Sequence, residues 1–397
     1  MKVLIVHNRY TQPGGEDLVV AGEAALLRRH GVEVRELIVS NEDVLRRGRL
    51  ATVRALALAA RNPEGMDLVG AACREFRPDV AHVHNFWFAL SAGVHEACRA
   101  EGAATVQTLH NFRLLCANAL LMRDFVPCRE CVERGPWRGV LRRCYHGSLG
   151  QSWMWARMVK ECRRSGMWER DVDAFIALTE SSRALYVAGG LPAERIAIKP
   201  NFVEDPGVAE TPGRGAVMVG RLSPEKGPHT LVRAWREVAE VPLTIVGDGP
   251  LRGELEAAVA QHGMTQVRFA GHRDARQCME HIRAAAFLVF PSQCYETFGR
   301  AIVEAYAAGR PVVASRLGAM AELVQDGRTG LLFEPGDAAD LAAKARRLAA
   351  QPELCREMGR AARAEYEKRY RPEENFRTLT AIYETALRRR RDAGAAK

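Results

Sequence analysis

Residues 217–228 read VMVGRLSPEKGP, and the order of residue types in this stretch decides the fold. Val217, Met218 and Val219 form a short apolar run of strand type, expected to extend to Arg221. A turn of Ser, Pro and Gly follows, and Pro228 stands where a helix can open. Strand, loop and helix in that order is the repeating piece of a parallel sheet. Downstream the pattern recurs with strands at Leu243–Gly247, Val267–Gly271, Phe287–Pro291, Val312–Ser315 and Gly330–Phe333. Helices are expected from Leu251, from Ala275, through Glu304 and from Ala338, the last capped by Asp337.

Upstream the same alternation runs through Val3–His7, a helix to His30, Val32–Val39, Val80–His84, Ala104–His110 and Ala174–Leu178. Between the two series, Lys199–Gly215 carries Pro200, Pro206, Pro212, Gly207, Gly213 and Gly215, the composition of a linker. The expectation is an α/β chain of two doubly wound, Rossmann-like parallel-sheet domains, 1–203 and 204–372, facing each other across a cleft. Residues 373–397 form a last helix with a basic tail, and an insertion of about 112–150 interrupts the first domain. A length of 397 residues agrees, because one core rarely serves so long a chain.

Hydrophobic residues at 47% and charged ones at 26% exclude a disordered chain. No apolar run is long enough for a membrane span, and the N-terminus lacks the pattern of a secretory signal. The expected location is cytoplasmic, with peripheral attachment to the inner face of the membrane as an extension. The net charge of +9 suits anionic phosphates of a donor or a lipid, or simply a solvated arginine-rich surface. No nucleic-acid reading module is recognisable.

Two segments concentrate chemistry. Tyr295–Glu304 passes from a strand end into a helix expected near Phe298, where open amides and Gly299 suit a phosphate oxyanion. Glu296 at its mouth and Glu304 roughly 11–12 Å along a helix are too far apart to act on one bond. Arg221 and Lys226 bracket the loop of the opening stretch, two cations at one strand end able to stabilise a departing diphosphate.

The segments VGRLSPEKG, LTIVGDGPL, FPSQCYETFGRAIVEAYAAGRPVVAS and ELVQDGRTGLLFEPGD resemble retaining glycosyltransferases of family four, which have the GT-B architecture. The resemblance implies transfer of a sugar from a nucleotide diphosphate donor to a glycan, lipid-linked or small-molecule acceptor, without a catalytic metal. It implies that Arg221 and Lys226 hold the diphosphate and Glu304 the ribose. Glu296 and the amides of Thr297, Phe298 and Gly299 would hold the donor sugar and phosphates. In the family the loop of Pro13, Gly14 and Gly15 reaches the donor, and His110 matches a position beside the transferred sugar. The other histidines of that edge, His82 and His84, read as structural. A nucleotide-sugar epimerase, a phosphorylase or a non-catalytic binding module are the alternatives of the same architecture.

Two features lie outside these motifs. Cys116, Cys128, Cys131 and Cys144 have the ligand types and grouping for a structural zinc, or for an iron–sulfur cluster. Residues 151–168 mix Trp153, Trp155, Trp168, Met154, Met158 and Met167 with basic residues, which suits either core packing or an anionic bilayer surface. Asp171 and Asp173 precede a strand and read as a connector.

Overall fold

The computed structural model describes residues 1–11, 14–208 and 212–395. Pro13 of the glycine loop and the end of the basic tail lie outside the described residues. The chain forms two compact units, one of Met1–Ala119, Arg129–Pro200 and the residues from Asn375 onward, the other of Leu120–Cys128 and Asn201–Glu374.

The first unit is built on six parallel strands: β1 (Lys2–Arg9), β2 (Glu33–Ser40), β3 (Val80–Asn85), β4 (Ala104–Thr108), β7 (Ala174–Ala177) and β8 (Ile196–Ile198). A separate hairpin of β5 (Met122–Arg123) and β6 (Val126–Pro127) interrupts the series. The sheet order is β2-β1-β3-β4-β7-β8. Strands β3 and β4 are buried along their whole length, as expected where helices cover both faces. The terminal helix Pro372–Ala395 contributes Leu379, Ile382, Tyr383 and Ala386 to this core, beside Val3, Ile5 and Val80. Its arginines are not merely a solvated end. Arg389 donates to the carbonyls of Asp173 and Glu194, and Arg390 to that of Arg99.

The second unit has strands β9 (Ala216–Val219), β10 (Leu243–Val246), β11 (Val267–Gly271), β12 (Phe287–Phe290), β13 (Val312–Ser315) and β14 (Gly330–Phe333). Their order is β11-β10-β9-β12-β13-β14. The winding reverses where β9 pairs β12, Ala216 against Phe287 and Val217 against Leu288. Such a reversal opens a crevice beyond the carboxyl ends of the two strands.

Several local expectations shift. Strand β9 ends at Val219, before Gly220, whose carbonyl lies so close to Gly247 that a Cβ there would meet it at 1.9 Å. The helix after β12 spans Arg300–Ala307 and begins two residues later than expected. Gly299 (φ −136°, ψ 74°) stays outside it, and the Phe298 ring is buried 6.2 Å from that of Tyr370. Glu296 is therefore a loop residue, and helical rise does not measure its distance from Glu304. In the helix Leu149–Arg164 and the turn after it, Trp155, Met158, Met167 and Trp168 are buried, and Trp155 Nε1 donates to the Arg113 carbonyl at 2.8 Å. Trp153 is the exposed member of the three tryptophans, so most of that stripe is core. Asp173 bonds Arg99 (2.7 Å) and the Thr105 amide (2.9 Å), a connector as read.

Candidate active site

In the second unit the loops leaving β9 and β12 are neighbours because their strands are paired. After β9 the chain passes Arg221, makes a single 3₁₀ turn (Pro224–Lys226) and enters the helix Pro228–Trp235 through Gly227. Gly227 sits at φ +66°, and a Cβ there would lie 2.0 Å from the Pro291 carbonyl oxygen, so only glycine lets the two loops touch. The Gln293 amide closes the contact on the Glu225 carbonyl at 2.8 Å.

This seam brings Lys226 to Glu296, Nζ donating to Oε1 at 2.6 Å. Ser292 Oγ donates to the same oxygen at 2.7 Å. Burial works against the lysine charge, but the Glu296 carboxylate, helped by Cys294 and Glu225, holds its pKa above the ordinary lysine value. Arg221 is exposed and makes no hydrogen bond or ion pair among the described residues, so its guanidinium is uncommitted. Glu304 lies on the helix Arg300–Ala307, where its Oε1 accepts from Arg300 Nε at 2.8 Å. Thr297 and Phe298 are buried beside the loop, and Gly299 occupies the N-cap position.

In the first unit, Gly14 and Gly15 are exposed at the start of the helix Gly15–Arg29. Asp17 accepts from the Gly14 amide at 2.9 Å and, with its other oxygen, meets His7 Nε2 at 3.0 Å. The neighbouring Glu16 has its carboxyl pushed up to about 8 by burial and, secondarily, by Asp17. His110 stands two residues past β4, at the rim of a cavity of about 30 Å³ that Asn85, Trp87 and Arg113 also line. Its Nε2 is 2.9 Å from His84 Nδ1, and burial lowers its pKa to about 3.

Comparison with known proteins converges on one family. The description "Glycosyltransferase Family 4" matches residues 13–205, and "Glycosyl transferases group 1" matches residues 213–351. An uncharacterised glycosyltransferase of Methanocaldococcus jannaschii is 30% identical over 42% of this chain and 47% of its own length. The 2-deoxystreptamine glucosyltransferase of Streptomyces kanamyceticus is 30% identical over 70% of both chains. The chain belongs to glycosyltransferase family four. A structure of Anabaena HepE in complex with UDP-glucose superposes with a TM-score of 0.66 at 20% identity, covering 97% of this chain and all of that one, which establishes the shared GT-B fold. The chain spans 30–47% of the length of the first curated relatives it matches.

In this family-four glycosyltransferase the four cysteines of the insertion make no disulfide among the described residues, and Cys116 and Cys131 are buried. Cys116 Sγ donates to Asn118 Oδ1 at 2.9 Å. Glu23, His82 and His84 do converge, with one ligand atom each inside 4.8 Å, a spacing that could hold an ion. Their present partners disfavour one: Lys199 already neutralises Glu23, and both His82 nitrogens are hydrogen-bonded.

Three residues escaped the sequence reading. Ser292 gave no signal. Glu16 looks like an ordinary acid at a helix N-terminus, where negative charge is favoured anyway. His84 alternates with His82 along β3 and could have been paired with His110 once adjacency of β3 and β4 was assumed.

Proposed function

We propose that the chain transfers a glycosyl group from a nucleoside diphosphate sugar to an acceptor hydroxyl with retention of configuration. The observation that carries this is the Lys226–Glu296 contact at the β9/β12 reversal, with the uncommitted Arg221 on the same loop. As the bond from the anomeric carbon to the diphosphate oxygen breaks, negative charge grows on that oxygen. Arg221 and Lys226 take up this charge, the service a divalent ion performs in other transferases. Glu296, oriented by Ser292 and Lys226, holds a donor hydroxyl, and Glu304 the ribose. The acceptor proton passes to the departing phosphate oxygen, so no enzyme nucleophile is required, and His110 lines the transferred sugar. The glucosyltransferase relative and the UDP-glucose complex of HepE support a nucleotide sugar as donor.

A thermal-shift screen of uridine, guanosine and adenosine diphosphate sugars identifies the donor, and turnover of that donor with and without acceptor tests the reaction. Conversion without any acceptor would instead mean an epimerase, strict dependence on inorganic phosphate a phosphorylase, and binding without turnover a non-catalytic module.

The acceptor is lipid-linked in this proposal, presented at an anionic bilayer. Residues 44–63 hold five arginines and no acid, and residues 134–164 eight basic residues and one acid, together more than the net +9 of the whole chain. The helices Arg49–Ala57 and Leu149–Arg164 pack together, and beside these charges they and the neighbouring short helix Trp137–Leu141 expose Leu50, Val53, Leu141, Leu149 and Trp153. Cationic rims around exposed apolar side chains suit anionic headgroups. Leu50→Glu combined with Trp153→Glu should abolish sedimentation with phosphatidylglycerol vesicles at low salt; unchanged sedimentation would remove the membrane from the account.

A further inference from the structure

Beneath His110 lies a layer of ionisable side chains with no water-facing surface. Glu23 comes from the helix Gly15–Arg29, His82 and His84 from β3, and Lys199 from the residue after β8. All four are fully or almost fully buried. Lys199 Nζ donates to Glu23 Oε1, so the carboxylate is held ionised in the interior. His82 is fastened on both sides, Nδ1 to Tyr383 Oη at 2.8 Å and Nε2 to Thr108 Oγ1 at 2.7 Å.

His84 is different. Its Nδ1 faces His110 Nε2 at 2.9 Å. Its Nε2 faces Glu23 Oε2 at 3.7 Å, and neither of those two buried atoms has a hydrogen-bond partner. Burial, with His110, His7 and Lys199 nearby, keeps His84 neutral, and burial keeps His110 neutral too. A neutral imidazole carries one N–H, so the two rings must divide the roles of donor and acceptor. A hydrogen on His84 Nε2 points at the Glu23 anion, whereas a lone pair there would oppose it in a medium that screens little. With His84 Nε2 protonated, Nδ1 must accept, and His110 must donate from Nε2.

We propose that Glu23, acting through His84, fixes His110 in the tautomer protonated on Nε2 and unprotonated on Nδ1. His84 and Glu23 are then positioning residues, and their role rests on the placement of His110 beside the transferred sugar.

The tautomer is read directly by nitrogen-15 NMR of the full chain labelled at histidine, with His110→Asn identifying the resonances. A protonated Nε2 and an unprotonated Nδ1 on His110 are expected; the reverse pattern overturns the proposal without any functional assay. Replacing the buried pair together, Glu23→Gln with Lys199→Met, should mix the two tautomers, and a folded double variant with an unchanged spectrum removes Glu23 from the mechanism. With the donor selected by the screen, His84→Leu should lower kcat about tenfold to a hundredfold and leave KM within about twofold. His84→Asn, whose amide oxygen can stand near the position of Nδ1, should recover most of that loss. Full activity in His110→Ala would discard the placement of His110 itself, whereas loss in His110→Ala with full activity in His84→Leu discards only the positioning role.

Discussion

Lys226 and Glu296 are 70 residues apart in sequence and 2.6 Å apart in space, partly open to solvent at the ends of β9 and β12. Glu23 and Lys199 are 176 residues apart, in contact, and wholly buried under His110. The first pair sits in loops, where strand-end glycines and a short turn decide which groups meet, and its charges remain available to a ligand. The second pair sits between a helix and a sheet, where a charge can exist only because another cancels it. Under the proposed function the contrast is between a site for chemistry and a layer that holds it in shape, and each side can be broken alone.

The largest effect is expected in the loop pair. Lys226→Ala or Glu296→Ala should lower turnover of the selected donor by roughly a thousandfold, in the range found when one preorganised charge partner is removed, with thermal stability close to wild type. Near-normal rates in either variant would detach the pair from catalysis. The buried pair should respond in the opposite way. Lys199→Met strands the Glu23 carboxylate and should cost about 3–5 kcal/mol of folding stability, measured by denaturant unfolding.

Gly227→Ala tests the seam that joins the loops. The left-handed backbone and the Pro291 carbonyl both reject a Cβ, so a loss of about 1–3 kcal/mol is expected, together with weaker nucleotide binding. A variant as stable and as active as wild type would show that the loops meet without it.

A smaller effect concerns pH. Glu16 is held up at about 8 in the folded chain, above the ordinary carboxylate value it regains on unfolding. Its contribution to stability is complete below the unfolded pKa and is lost as pH rises through about 8. Glu16→Gln keeps the side chain neutral, so the melting temperature of the wild type should drop relative to the variant between about pH 5 and about pH 8.5. A constant difference across that window would return Glu16 to an ordinary ionised acid. The smallest effect should follow chelation: with protein cations carrying the diphosphate charge, EDTA should leave turnover unchanged.

Local pattern was enough for much of this protein. Apolar runs such as Phe287–Phe290 and Val312–Ser315, each followed by a helix, announce a parallel sheet because a strand buried on both faces has no polar alternation to display. Arg221, Lys226, Glu296 and Glu304 were legible for a related reason: a motif compresses strand end, turn and helix start into a short run of residues. The start of the helix at Arg300 was not, since the burial of Phe298 against Tyr370 depends on a residue far along the chain. The aromatic residues of Leu149–Arg164 could be assigned to core or surface only after the insertion folded over them.

Sequence alone therefore determined two wound sheets, their order along the chain and the charged loops at the ends of β9 and β12, because each follows from interactions among near neighbours. Tertiary structure decided which histidine touches His110, that Lys199 neutralises Glu23, and that the terminal helix completes the first core through Tyr383. Those contacts join residues 26, 176 and 301 positions apart. In a dry interior a hydrogen bond or ion pair depends on distances set by packing of whole elements, and no local run of residues encodes them.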